Sequence, residues 1–407
     1  MSSPSNWEPL LLNDLAVIGS GESPPPVPGL EVVMGANGPI GTTNRTNFGP
    51  GYLVGRVGAA GVVNYVQAPC WASDNTLTVI PRKEICDEAF LGHLLAFLRP
   101  ERLATKNAQP LITQTNLGLL TSLVPRQLPE QRHIAAILDT LDEAIRWTEQ
   151  VIAKLQQAKQ GLLHDLLTRG VDENGDLRSP FSEVPRLYRD SPLGRIPRGW
   201  EVAKLSSRFA VKGGKRLPAG HSYSGVPTVF RYLRVLDFFE RRVAFSELQY
   251  LTDSTFNALQ HYEIVEPDLF ISIAGSLGFV GVYRPPRQLV HRTILTENAA
   301  KLVALTDARP EFVALQMNHS RVQRQIEIEK GTGGGVPKLA LFRIENLRLV
   351  WPPRDEQQRI EVIAEAAETQ VREEMRYLGK RRTLSHGLLH DLLTGRVRVP
   401  MSMGAPA

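Results

Sequence analysis

Two histidines one helical turn apart, His386 and His390, are the residues whose spacing first suggests chemistry. Imidazoles at i and i+4 on one helix face can share a metal ion. The position 226 residues before His390 is His164, but the one before His386 is Gln160, so a ligand role would be lost from one of two otherwise matching segments. Cys70 and Cys86 are the only cysteines and form no CxxC pair. No metal site or disulfide framework is expected, and the default compartment is a reducing cytoplasm.

The run GTGGGVPK (Gly331–Lys338), with Lys330 and Lys338 beside its glycines, could bring backbone amides close to a phosphate. It lacks the GxxxxGK[ST] spacing and reads instead as a loop ahead of the strand that leads to Trp351, able to touch phosphate. KNAQPLI (Lys106–Ile112) is its counterpart earlier in the chain. The Pro-Pro pairs at 24–26, 285–286 and 352–353 do not sit in the Asn/Asp-Pro-Pro-aromatic loop of an amino-methyltransferase. None of the eleven lysines follows an acid by two residues, a pattern common in metal-dependent nucleases. Catalysis by this chain alone is not expected.

What remains is positive charge. KGGKR places Lys212, Lys215 and Arg216 around two glycines, and Arg231, Arg234, Arg241 and Arg242 follow among Phe230, Tyr232, Phe238 and Phe239. Arginine and lysine bind phosphates or pair with guanine, whereas these aromatics read as core. With Lys330 and Lys338 these are the DNA-binding candidates of the second half; Arg56 and Lys106 are the weaker choices in the first. Residues 186–353 hold 24 Lys/Arg against 15 Asp/Glu, while residues 1–128 hold 8 against 9. Clustered positive charge points to a polyanionic partner, with solubility as the plainer alternative.

The elements that must position these groups are legible from a repeat. LLHDLLT occurs at Leu162–Thr168 and again at Leu388–Thr394, while EQRHIAAI begins at Glu130 and EQQRIEVI at Glu356. Both offsets are 226, so the matched ends keep a fixed separation, as a helix would give. Ile134, Leu138, Leu141, Ile145, Ile152, Leu155, Leu162 and Leu166 follow helical spacing in the first copy. Ile360, Ile363, Val371, Leu378, Leu388 and Leu392 do so in the second. Pro129 and Pro353 lie near the helix starts, Asp355 fits an N-cap, and Gly170 and Gly395 follow the last apolar turns. A helix of about 38 residues would be about 57 Å long. Such a stripe cannot be buried by one isolated helix, so the two are expected to pack as a coiled-coil-like pair. Glu374 and Arg381 replace Thr148 and Leu155, which predicts polar pairing or a partner contact there.

The segments ahead of the helices repeat more loosely. Trp7-Glu8 corresponds to Trp200-Glu201, and GYLVGRVGAAGVV (Gly51–Val63) to DLFISIAGSLGFVG (Asp268–Gly281), each a strand–turn–strand pattern. The expected organisation is a module at 1–128, a helix at 129–170, a linker at 171–199, a second module at 200–353, a second helix at 354–395 and a tail at 396–407. The apolar fraction of 42% and charged fraction of 22% suit a soluble globular protein. No apolar run approaches the roughly 20 residues of a membrane span, and MSSPSNWEPLLLNDLAV, with Glu8 and Asp14, does not read as a secretory signal.

LPEQRHIAAILDTLDEAI, GLLHDLLTRGV, PLGRIPRGWEVAKL, PPRDEQQRI and GLLHDLLTGRV together resemble the specificity (S) subunits of type I restriction–modification systems. The resemblance covers both halves of the chain. It implies a mixed α/β (α+β) fold with two target recognition domains alternating with two long antiparallel helices, in a pseudo-twofold repeat. It further implies a non-catalytic subunit that recognises a split double-stranded DNA target and carries two copies of the modification methyltransferase, together with restriction/translocase subunits. S-adenosylmethionine, ATP and Mg would belong to those partners and not to this chain. On the residues alone, a coiled-coil scaffold whose globular ends bind protein remains the alternative. Target bases and spacer length are not legible.

Overall fold

The computed structural model describes residues 6–105, 110–239, 241–287, 291–329 and 337–399. The chain divides into two compact units: Met1–Ala153 with Glu373–Ala407, and Lys154–Arg372. Each unit takes one recognition module and a part of both long helices.

In the first unit β1 (Trp7–Leu11) pairs antiparallel with β6 (Thr121–Pro125). Between them β2 (Ala16–Ser20), β3 (Gly51–Gly55), β4 (Val63–Val66) and β5 (Thr76–Pro81) form an antiparallel sheet in the order β2-β5-β3-β4. In the second unit β7 (Glu201–Lys204) pairs with β12 (Arg348–Trp351). There β8 (Phe209–Gly213), β9 (Leu269–Ser272), β10 (Val280–Val282) and β11 (Ala299–Ala304) repeat the order as β8-β11-β9-β10. The glycine turns expected between strands are present, with Gly58, Gly61, Gly275 and Gly278 all at positive φ. Each module also holds one parallel contact, Val33 beside Trp71 in the first and Phe230 beside Arg292 in the second. The second module elaborates this region with a four-stranded sheet and the hairpin Phe238–Phe239/Arg242–Val243. That accounts for its greater length.

A short helix follows each inner sheet, α1 (Glu88–Leu98) and α3 (Pro310–Asn318). The long helices are α2 (Leu128–Thr168, 41 residues) and α4 (Arg354–Leu393, 40 residues), each about 60 Å at 1.5 Å per residue. Gly170 and Gly395 close them with φ of 68°, a left-handed conformation that glycine adopts at little cost. Asp355 lies inside the first turn of α4 and is not its N-cap; an acid there still favours the positive end of the helix dipole.

All fourteen apolar positions of the expected stripe are covered. Ile134, Leu138, Ile152, Leu166, Ile360, Val371 and Leu392 are buried, and Leu141, Ile145, Leu155, Leu162, Ile363, Leu378 and Leu388 half-buried. In the first unit Leu392 and Leu393 join Ile134, Ala135 and Leu138 in one core. In the second unit Leu166 and Leu167 join Ile360 and Ala364. The end of one helix thus packs on the start of the other in both units, which makes the pairing antiparallel. The polar break in the stripe is satisfied: the Arg381 guanidinium donates to Thr148 Oγ1, and Arg382 pairs with Glu149 at 2.7 Å.

The stretch read as a linker, 171–199, is packed against the second unit. Val171, Tyr188 and Ile196 are buried, and Val171 and Ile196 share the core of Trp200 and Ile360. The short strands Tyr188–Arg189 and Ile196–Pro197 pair with each other. Their apolar side chains, unreadable as periodic structure, cover the start of α4.

Candidate nucleic-acid interface

Each module is fixed to its helix by a buried carboxylate. Glu130 and Glu356, repeated in the sequence, are each 2% exposed. The Trp7 indole donates to Glu130 and the Trp200 indole to Glu356, both at 3.1 Å. Arg398, beyond the end of α4, reaches Glu130 at 3.0 Å. Arg178, beyond the end of α2, grips both oxygens of Glu356, with Nη2 to Oε2 at 2.9 Å, and the Val171 amide adds a bond at 3.1 Å. The next residue repeats as well: Gln131 and Gln357 donate to the carbonyls of Pro125 and Pro352, each at 2.9 Å. A carboxylate buried without such partners would cost several kcal/mol, so each glutamate dictates how its module seats. These roles escaped the sequence reading, although an acid and a tryptophan recurring together were the signal.

The basic residues of the second module separate into two sets. Arg231 is 7% exposed, donates to the Phe245 carbonyl and the Tyr250 hydroxyl, and stacks on the Tyr250 ring. Arg234 is held by Asp237 in two bonds of 3.1 and 2.7 Å. Arg241 and Arg242 reach Glu368 and Glu365 on α4, the second at 3.0 Å. All four guanidiniums, expected to contact DNA, are engaged by partners within the unit. Arg241 and Arg242 also border a cavity of about 730 Å³, whose acidic lining at Glu361, Glu365 and Glu368 is paired with arginines. The aromatics are largely core as expected, with Tyr232 buried and Phe238 against Phe270; Phe239 alone of the four is exposed.

Lys212, Lys215, Arg216 and Lys338 are exposed, and their side chains make no hydrogen bond or ion pair among the described residues. Lys106 and Lys330 lie outside the described residues. Three of the exposed cations converge. The amides of Gly214 and Lys215 donate to Ala299 and Leu295 at 3.0 and 2.9 Å, laying this segment along the turn Thr296-Glu297-Asn298. The Ala274 amide meets the Asn298 carbonyl at 3.3 Å, and Ala274 bridges Lys338. Gly214 is required for this approach, since a Cβ would fall 2.1 Å from the Thr296 carbonyl oxygen. Lys212 stands one strand step away, opposite Lys301.

The first module repeats the backbone and changes the charge. The Gly21 and Glu22 amides donate to Thr76 and Ala72 at 3.0 and 2.9 Å, and a Cβ on Gly21 would fall 2.1 Å from the Ser73 carbonyl oxygen. Glu22-Ser23 therefore stands where the second module has Lys215-Arg216. The cation of this site comes from another strand: the Arg56 amide donates to the Asn75 carbonyl at 2.8 Å, where the second module has Ile273 on Asn298. Val57 bridges Leu111 as Ala274 bridges Lys338.

The matching helix histidines, His390 and His164, each meet an aromatic ring. His390 packs edge-on to Phe97, with ring centroids 6.1 Å apart. Its counterpart His164 meets His319, whose Nε2 lies 3.3 Å from His164 Nδ1. Burial, reinforced by Arg321, His164 and Arg324, pushes His319 down to about 4, so it is neutral at pH 7.

A family model described as the type I restriction modification DNA specificity domain matches residues 4–157. The type I restriction enzyme MjaX specificity subunit of Methanocaldococcus jannaschii is 25% identical over 340 residues, 80% of this chain and 72% of that protein. The MjaVIII specificity subunit of the same organism is 34% identical over 88 residues, 22% of this chain and 18% of that one. Among solved structures, the S subunit of a type I restriction–modification system from M. genitalium superposes with a TM-score of 0.59 at 15% identity, covering 97% of this chain and 98% of that one. A chain from a type I system solved for its complex assembly and conformational transition gives 0.59 at 14% identity, covering 98% and 100%. The solved structures establish the fold: two equivalent mixed α+β modules on a pair of long helices. Residues 4–157 thus match the type I restriction modification DNA specificity domain, and most of the chain is similar to a curated specificity subunit.

Proposed function

We propose that this protein is the DNA-reading, non-catalytic subunit of a type I restriction–modification complex, each module reading one half of a split duplex target. The observation that carries it is the duplicated frame with unlike loops: identical backbone brackets at Gly21 and Gly214 present Glu22-Ser23 in one module and Lys215-Arg216 in the other. One frame with two faces is what reading two different half-sites requires. The equivalent helix surfaces would carry two methyltransferase subunits, and restriction subunits would join that assembly in the cytoplasm. S-adenosylmethionine, ATP and Mg would be held by those partners. Lys212, Lys215, Arg216, Lys338 and Arg56 are the described cations we assign to DNA, the first four being exposed.

The test is co-expression with the cognate methyltransferase in a methylation-free host, followed by mapping of N6-methyladenine. Two short blocks separated by unread bases are expected, their centres about one helical turn apart. Exchange of residues 1–128 should change one block only. An assembled complex that methylates nothing, or an unsplit motif, overturns the reading. A protein-binding scaffold would lack the steep fall of affinity with salt that phosphate neutralisation produces.

A further inference from the structure

Both modules carry the same short turn, with side chains that the frame does not explain. In the first it is Ser73-Asp74-Asn75, leading into β5; in the second it is Thr296-Glu297-Asn298, leading into β11. The brackets match bond for bond. Ser73 N reaches the Met34 carbonyl and Thr296 N the Leu233 carbonyl, both at 3.0 Å. Asn75 O accepts from Arg56 and Asn298 O from Ile273, both at 2.8 Å.

Each acid is held by a single oxygen. Ser23 Oγ donates to Asp74 Oδ2 at 3.0 Å. Thr296 Oγ1 donates to Glu297 Oε2 at 2.9 Å, and the Tyr232 hydroxyl is shared between that oxygen at 3.2 Å and the Lys215 carbonyl at 2.9 Å. Burial, with help from Glu297, raises the Tyr232 phenol above its ordinary range, so it stays a donor. Asp74 Oδ1 and Glu297 Oε1 accept no hydrogen bond among the described residues, and both side chains are exposed. The side-chain carboxamides of Asn75 and Asn298 make no hydrogen bond there either. From these turns β5 and β11 run six residues each, about 20 Å, before the chain meets its helix through Ile85 on Gln131 and Arg309 on Glu361. The turns therefore lie at the strand ends away from the helices.

A carboxylate can only accept hydrogen bonds, and DNA phosphates repel it. The donors it can meet in the major groove are cytosine N4 and adenine N6, while an asparagine amide pairs with adenine N6 and N7. We propose that Asp74-Asn75 and Glu297-Asn298 are the base-reading positions of the two half-targets, each selecting an amino-bearing base. Lys215, Arg216 and Lys338 hold phosphates beside the second turn, and Arg56 beside the first. This rests on the DNA-reading function above.

The test uses the assembled complex with its methyltransferase. The wild-type complex is mapped first, and failure to find a split motif there counts against the function, not against these residues. Binding of the cognate duplex and of duplexes with single base-pair changes is then compared for Asn75→Ala, Asn298→Ala, Asp74→Asn and Glu297→Gln. Because neither asparagine side chain bonds within the described fold, the alanine variants should melt and assemble as wild type. Asn298→Ala is expected to lose about 10–100-fold of discrimination at one position of one block, and Asn75→Ala at one position of the other. Glu297→Gln and Asp74→Asn should accept a keto base where wild type demands an amino base. Wild-type discrimination throughout, a uniform loss of affinity for all sequences, or changes confined to one block for both modules would each overturn the proposal.

Discussion

The two recognition modules share strand order, buried tryptophan–glutamate junction and pressed-in glycine, yet differ in charge at the surface those glycines expose. Lys215-Arg216 in one module takes the place that Glu22-Ser23 has in the other. The contrast separates what the frame needs from what the reading surface varies. Frame positions are buried or sterically closed, and the variable ones follow immediately after them. At this turn the first module has Arg56, contributed from a different strand, while the second gathers three cations around it.

The comparison can be broken most severely at its junctions. Glu356→Ala would strand Arg178 and Trp200 and should cost about 3–5 kcal/mol; denaturant unfolding should show Glu130→Ala to be milder, because Arg398 is 43% exposed against 23% for Arg178. Equal costs would mean that the additional bonds to Glu356 contribute nothing. Gly21→Ala and Gly214→Ala should each lose about 1–3 kcal/mol and be matched within error; a tolerated alanine at either site would show that the bracket is looser than drawn. Charge grafting sharpens the contrast. Lys215→Ala and Arg216→Ala should each reduce the salt slope of DNA binding by about one, and Glu22→Lys with Ser23→Arg should steepen it; binding titrations from low to high salt read both.

Smaller effects follow at the histidine contact. His319 is held below its unfolded value, so the folded state binds fewer protons and its stability falls as pH drops from about 6.5 through about 4. His319→Phe, which copies Phe97, should flatten that part of the melting-temperature profile and leave pH 8 unchanged; an unaltered acid limb would exclude His319 as its source. Smallest is Arg381→Leu, which copies Leu155. It trades an exposed arginine bond to Thr148 for an apolar contact and should shift stability by less than about 1 kcal/mol.

The long helices, their stripe and their glycine ends were legible because periodicity and an exact repeat survive in sequence. The hairpins at 51–66 and 269–282 were legible because glycine marks a turn. The proposed binding surface was only half legible. Charge alone could not distinguish Arg231, spent inside its module, from Arg216, exposed beyond it, since that depends on Tyr250 and Phe245 being brought near by pairing across the sheet. Glu130 and Glu356 stood in quoted repeats, but their meaning depends on a tryptophan more than a hundred residues earlier. The segment 171–199 showed no period because its packing is made by isolated residues.

The first unit closes its core with Leu392 and Leu393, packed on Ile134 and Leu138. On a ribosome working at about 5–20 residues per second, the first module would wait roughly 10–50 s for that partner strip to emerge. During that interval the apolar side of α2 is uncovered, while the second module, whose frame runs from Lys154 to Arg372, can complete itself earlier. The module made first is the last to finish, and a synthesis cut short near the C-terminus would leave it open.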